Sequence, residues 1–105
     1  MKPKQNSESK IRIKIRTSLD FKKIFGQGRF EVFTGDGSTL RGFLNQLIET
    51  YGKGLALRLF EADGETLRPH IMLMVNGRNI NFLNRMDTVL CEGDEVLILP
   101  PVSGG

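Results

Sequence analysis

The run Pro100-Pro101-Val102-Ser103-Gly104-Gly105 holds the groups of this chain best placed for chemistry. Two consecutive glycines bring a carboxyl carbon into the open, with no side chain beside it. Glycine also reaches backbone conformations closed to other residues. The run follows a strand-like stretch, Glu95-Val96-Leu97-Ile98-Leu99, and a rigid proline pair. That order predicts a carboxylate held out from a compact domain for another protein to work on. Pro100 and Pro101 restrict the backbone before it, either to limit how the segment wanders or simply to end the strand. From Pro100 to Gly105 an extended chain spans at most about 20 Å.

The remaining chemistry-bearing residues are sparse. Cys91 lies between Leu90 and Glu92 with no base near it in sequence. A neighbouring acid disfavours the thiolate, so Cys91 reads as structural or incidental. His70 follows Pro69 and lacks companion ligands, which suits a turn better than a metal site. The carboxylates Asp63, Glu65, Asp87, Glu92, Asp94 and Glu95 fall mostly in apparent turns rather than in an acid–base pair. Gly26-Gln27-Gly28 lacks the third glycine and the following helix of a nucleotide loop. Phe82 and Leu83 read either as an exposed apolar patch for a partner or as core. Glu92, Asp94 and Glu95 either steer a basic partner or form a solvated turn.

The elements that must position these groups are legible from periodicity. Residues 1–10 are polar and aperiodic and read as a disordered basic tail. Ile11, Ile13 and Ile15 alternate with Arg12, Lys14 and Arg16, the period of a half-buried strand. Leu19, Phe21, Ile24 and Phe25 suggest a short helical turn ending near Gly26. Residues 29–34 alternate again, with Phe30, Val32 and Thr34 on one face, as a second strand antiparallel to the first. After the Thr34-Gly35-Asp36-Gly37 turn, Ser38 or Thr39 can cap a helix. Leu40, Phe43, Leu44, Leu47, Ile48 and Tyr51 form its apolar face, and Gly52 and Gly54 stop it. Residues 55–60 have no clear state, and residues 62–65 make a turn. The apolar run Ile71-Met72-Leu73-Met74-Val75 predicts a central strand buried on both faces. Asn76-Gly77 marks a tight turn. Residues 79–83 fit a short strand or a loop, and Glu92-Gly93-Asp94 turns into the last strand, Glu95–Leu99. A sheet of four to five strands crossed by one main helix is α+β.

At 105 residues, 39% hydrophobic and 26% charged, the chain has the composition of one soluble domain. One cysteine excludes an internal disulfide and any multi-cysteine metal site, and suits a reducing cytoplasm. No apolar run is long enough to span a bilayer. The net charge of +3 is unevenly spread: residues 1–29 hold nine basic and two acidic residues, and residues 30–105 six and ten. No aromatic residue interleaves the first ten positions, so they offer no stacking platform for nucleic acid.

Val75-Asn76-Gly77-Arg78-Asn79-Ile80, Asp87-Thr88, Gly93-Asp94-Glu95-Val96 and Pro100-Pro101-Val102-Ser103-Gly104-Gly105 together resemble the ubiquitin-like sulfur carriers, the MoaD/ThiS family, nearest its MoaD-like branch. The resemblance covers roughly residues 11–105. It departs in Ser103, where such proteins often carry Ala, and in the basic residues 1–10. It implies a β-grasp domain over residues 11–99 with a flexible C-terminal segment, 100–105. It further implies that the Gly105 carboxylate is adenylated and converted to a thiocarboxylate, with Gly104 giving the channel walls bare backbone. Pro100, Pro101, Val102 and Ser103, with Phe82, would meet the partner. ATP and magnesium would belong to a ubiquitin-activating-type enzyme, and the carrier itself would bind no cofactor or metal. A sulfur-donor enzyme and the molybdopterin synthase large subunit would complete the partners, with no membrane and no nucleic acid among them. The chain would then be a protein substrate or non-catalytic subunit, not a complete enzyme. A modifier conjugated to lysines, a carrier for thiamine or cysteine biosynthesis or for tRNA thiolation, and a nucleic-acid-binding β-grasp module are the competing expectations.

Overall fold

The computed structural model describes residues 9–101. Strand β1 (Lys10–Thr17) buries Ile11, Ile13, Ile15 and Thr17 and exposes the basic residues that alternate with them, Lys10, Arg12, Lys14 and Arg16. It begins at Lys10, one residue inside the expected tail, because Lys10 pairs with Gly35 of β2 (Arg29–Gly35). β1 and β2 are antiparallel, as their alternation predicted. Helix α1 (Leu19–Phe25) joins them and ends on Gly26, whose φ of 81° suits only glycine well.

Helix α2 (Leu40–Tyr51) starts on Thr39, whose hydroxyl accepts the Gly42 N–H at 3.1 Å. Leu40, Phe43, Leu44 and Leu47 press its apolar face onto the sheet. A polar tie at the edge of the core fixes its azimuth: Thr34 Oγ1 donates to Gln46 Oε1 at 2.6 Å, and Gln46 Nε2 donates to the Phe33 carbonyl at 2.8 Å. Gly52, at φ 93°, ends the helix. Gly54 does not; it lies inside α3 (Lys53–Leu59), which buries Leu55 and Leu59. Packing of those two leucines supplies the helical state that residues 55–60 did not advertise.

Strand β3 (Met72–Val75) turns through Asn76 (φ 52°) and Gly77 (φ 82°) into the two-residue β4 (Arg78–Asn79). Positive φ at both turn positions is the primed geometry that Asn-Gly favours. Residues 80–82 then form a single 3-10 turn rather than more strand. β5 (Glu95–Leu99) completes the order β2-β1-β5-β3-β4, parallel to β1 and antiparallel to β3. The expectation of a central, doubly buried strand at residues 71–75 is therefore corrected. β5 is central, and β3 alternates, with Leu73 and Val75 buried and Met72 41% exposed. The helices cover one face of the sheet only, so on the other face Met72 stays exposed and Met74 half-buried.

Candidate functional site

The candidate site is the place where β5 leaves the sheet. At its start, Asn76 fastens the strand by three bonds. Its backbone N–H donates to the Glu95 carbonyl at 2.8 Å. Its Oδ1 accepts the Glu95 N–H at 2.9 Å, and its Nδ2 donates to Asp94 Oδ1 at 2.8 Å. Asp94 Oδ2 in turn accepts the Cys91 N–H at 2.8 Å. At the other end, the buried Thr17 hydroxyl donates to the Ile98 carbonyl at 2.6 Å. Pro100 is half-buried and Pro101 exposed. Val102, Ser103, Gly104 and Gly105 lie outside the described residues.

The two prolines border a hollow of about 640 Å³, whose apolar lining comes from Leu19, Leu57, Pro69 and Ile71. Leu19 and Leu57 are more than half exposed. Leu19 sits at φ 55°, a left-handed conformation that is costly for a leucine. Two ion pairs rim the hollow, Arg58–Asp20 at 2.6 Å and Arg68–Glu61 at 3.2 Å. All four side chains are about half exposed, so each pair contributes about 0–1 kcal/mol.

The uncovered sheet face divides into two halves. Arg12, Lys14, Arg16, Arg29 and Glu31 make the β1–β2 half mainly charged, with Phe33 60% exposed among them. On the β5–β3 half, Met74 is in register with Leu97 and Met72 with Leu99. These four alternate with buried Leu73, Val75, Val96 and Ile98, so they share the outer face. Phe82, 82% exposed, borders the same surface depression as Met74. Of the expected pair, Phe82 is open, whereas Leu83 packs half-buried against the core. Sequence reasoning missed Met72, Met74, Leu97 and Leu99. Their alternation with Leu73, Val75, Val96 and Ile98 is invisible in runs where both faces are apolar.

The other candidates take quieter roles. Cys91 and His70 are exposed, and no three of His, Cys, Asp and Glu converge on a metal position among the described residues. Glu92 pairs with Arg12 at 3.6 Å, Glu95 with Arg16 at 3.6 Å, and Asp94 holds the turn, which favours the solvated-turn reading over steering. Gly26 caps α1, and a Cβ on Gly28 would meet the Thr17 carbonyl at 3.1 Å. The pair therefore serves a helix end and a close backbone passage, not a nucleotide.

A mixed five-stranded sheet with its first and last strands parallel at the centre, crossed by one long helix, defines a ubiquitin-like β-grasp protein. Residues 21–105 match the ThiS family, and the chain belongs to it. It is 37% identical over 95 residues to small archaeal modifier protein 3 of Haloferax volcanii, covering 90% of this chain and 100% of that protein. It is 33% identical over 95 residues to a candidate sulfur carrier protein of Archaeoglobus fulgidus, covering 90% of this chain and 98% of that one. A solution structure of a Haloferax volcanii protein is similar with a TM-score of 0.76 at 36% identity, over 91% of this chain and 88% of the other. These are similarities to ubiquitin-like carrier and modifier proteins. No helix among the described residues is long and apolar enough to cross a membrane.

Proposed function

We propose that this protein carries sulfur as a thiocarboxylate on Gly105. A carboxylate is a poor electrophile. Its oxygen attacks the α-phosphate of ATP, pyrophosphate leaves, and the acyl-adenylate so formed has AMP as a good leaving group. A persulfide from a donor enzyme displaces AMP. Reductive cleavage of the sulfur–sulfur bond by a second thiol then leaves the thiocarboxylate. ATP, magnesium and the catalytic groups belong to a ubiquitin-activating-type enzyme, and the carrier contributes access. Gly104 and Gly105 allow a narrow channel to close on bare backbone, and small displacements at the reacting carbon matter greatly. Dithiolene formation in molybdopterin is the proposed destination of the sulfur.

The observation that carries this reading is the ThiS match over residues 21–105, on a fold whose central strand β5 ends at Leu99. The apolar half of the outer sheet face, with Phe82 and Met72 exposed and Met74, Leu97 and Leu99 half-buried, adjoins that strand and offers the partner a surface. Mass spectrometry after incubation with the cognate activating enzyme, magnesium-ATP and a sulfur donor tests it. One oxygen is expected to be replaced by sulfur at Gly105. An unchanged mass with an enzyme shown to form the adenylate rejects the proposal.

The similarity to small archaeal modifier protein 3 favours a second reading, in which Gly105 forms isopeptide bonds with lysines. Both readings share the adenylate. Peptides from cells carrying the Gly105 remnant on lysine would support the modifier, and thiocarboxylate without such conjugates would support the carrier.

A further inference from the structure

We infer that Thr17 is a positioning residue for the segment that leaves β5; the inference rests on the reading of Gly105 as the reacting carboxylate. β1 and β5 pair in parallel from Lys14 and Glu95 to Thr17 and Ile98. Beyond Thr17 the chain turns out of the sheet. Ser18 is extended at φ −155° as the N-cap of α1, and Leu19 stands at φ 55°. The carbonyl of Ile98 therefore lies where β1 has stopped running alongside. The Thr17 hydroxyl takes that carbonyl at 2.6 Å in buried surroundings, so a side chain closes the ladder in place of the next strand N–H.

That bond reaches further than one carbonyl. The Ile98 C=O and the Leu99 N–H belong to one planar peptide unit, so fixing the first orients the second. Leu99 is in register with Met72 on the opposite neighbour, β3. The unit is thus gripped from the β1 side by a hydroxyl and from the β3 side by the sheet. Little backbone freedom follows. Leu99 and Pro100 each precede a proline, which confines them to extended conformations, and each proline ring fixes its own φ. The tilt of the 98–99 plane is therefore passed through Pro100 and Pro101 almost undiminished. Over the reach of about 10 Å from Ile98 to Pro101, a tilt of about 10° moves the point where the segment leaves by about 2 Å. Reacting groups need placement to about 0.5 Å. A single hydroxyl at the root of the segment then decides how much of the activating enzyme's binding must be used to aim the carboxylate.

Thr17→Val keeps the shape and removes the donor; Thr17→Ser restores the donor without the methyl group. Thiocarboxylate formation is followed against carrier concentration with the activating enzyme, magnesium-ATP and a sulfur donor, and Leu99 amide exchange is followed by NMR. Thr17→Val is expected to lower kcat about tenfold with little change in KM, and to speed Leu99 exchange. Thr17→Ser is expected to recover both. Thr39→Ala, which weakens the fold at the opposite end of the sheet, is expected to leave kcat unchanged. Equal losses in Thr17→Val and Thr39→Ala would reduce Thr17 to a structural role and overturn the inference. If Thr17→Val does not fold, Pro100→Gly tests the same path by releasing the joint after Leu99. An unchanged kcat there rejects transmission of the 98–99 tilt through the prolines. If the native protein never gains sulfur, the carrier reading fails on its own. Leu99 exchange still judges Thr17, and identical exchange in the native and Val proteins overturns its positioning role.

Discussion

The carboxylate of Asp63 is fully engaged by the turn it begins. It accepts the Thr66 hydroxyl on Oδ2, and the Thr66 and Glu65 backbone N–H groups on Oδ1, both at 2.8 Å. The Thr66 hydroxyl foremost, then the two N–H groups, hold its pKa down at about 2. The bonds favour the ionised form, so they support the folded turn wherever Asp63 is charged. Their contribution is complete above the ordinary carboxylate value of 3.8 and is lost as pH falls through about 2. A carboxyl titration followed by NMR is expected to give a midpoint near 2 for Asp63 in the native protein and a return toward 3.8 in Thr66→Val. An unshifted native midpoint would show that the turn does not hold these bonds in solution. Ala62-Asp63-Gly64-Glu65 was legible as a turn from residue types alone, because an aspartate two and three residues ahead of free N–H groups caps them locally.

Elements that make their own local contacts were the readable ones. β1 showed itself through three alternating isoleucines, and α2 through leucines and phenylalanine at three- and four-residue steps above a Thr39 cap. Removing that cap in Thr39→Ala is expected to lower unfolding stability by about 1 kcal/mol in denaturant titration. Leu44→Ala, in the fully buried face, is expected to lower it by about 2–5 kcal/mol. A Thr39 loss as large as the Leu44 loss would mean that the cap, not the packing, holds α2. Helix α3 was not readable, since Gly52 and Gly54 flank Lys53 and each disfavours helix. Its stability comes from Leu55 and Leu59 reaching the common core, a gain no local window contains. β3 misled in the opposite sense. Five consecutive apolar residues imply cover on both faces, yet Met72 and Met74 lie on the face without helices.

At the scale of the whole molecule, that uncovered face is the feature that distinguishes one side of the protein from the other. Exposed Phe82 and Met72 would be a liability on an inert surface, and their continuity with β5 suits a docking face for the proposed activating enzyme. Phe82→Ser is expected to change stability by no more than about 0.5 kcal/mol, because the ring is 82% exposed. Calorimetry is expected to show binding to that enzyme weakened about tenfold, or about 1.4 kcal/mol. Undiminished affinity would move the docking face elsewhere. The sequence by itself determined β1, β2, β5 and the main helix, the Asn76-Gly77 turn, the Pro100-Pro101 step and the two glycines beyond it, because each is written in neighbouring residues. Only the tertiary structure decided that β5 is the central strand, that its outer face is half-buried, and that the Thr17 hydroxyl closes on the Ile98 carbonyl. Those outcomes depend on contacts between β1 and β5, 81 positions apart at Thr17 and Ile98, and local periodicity reports which face of a strand is apolar but not which strand will lie beside it.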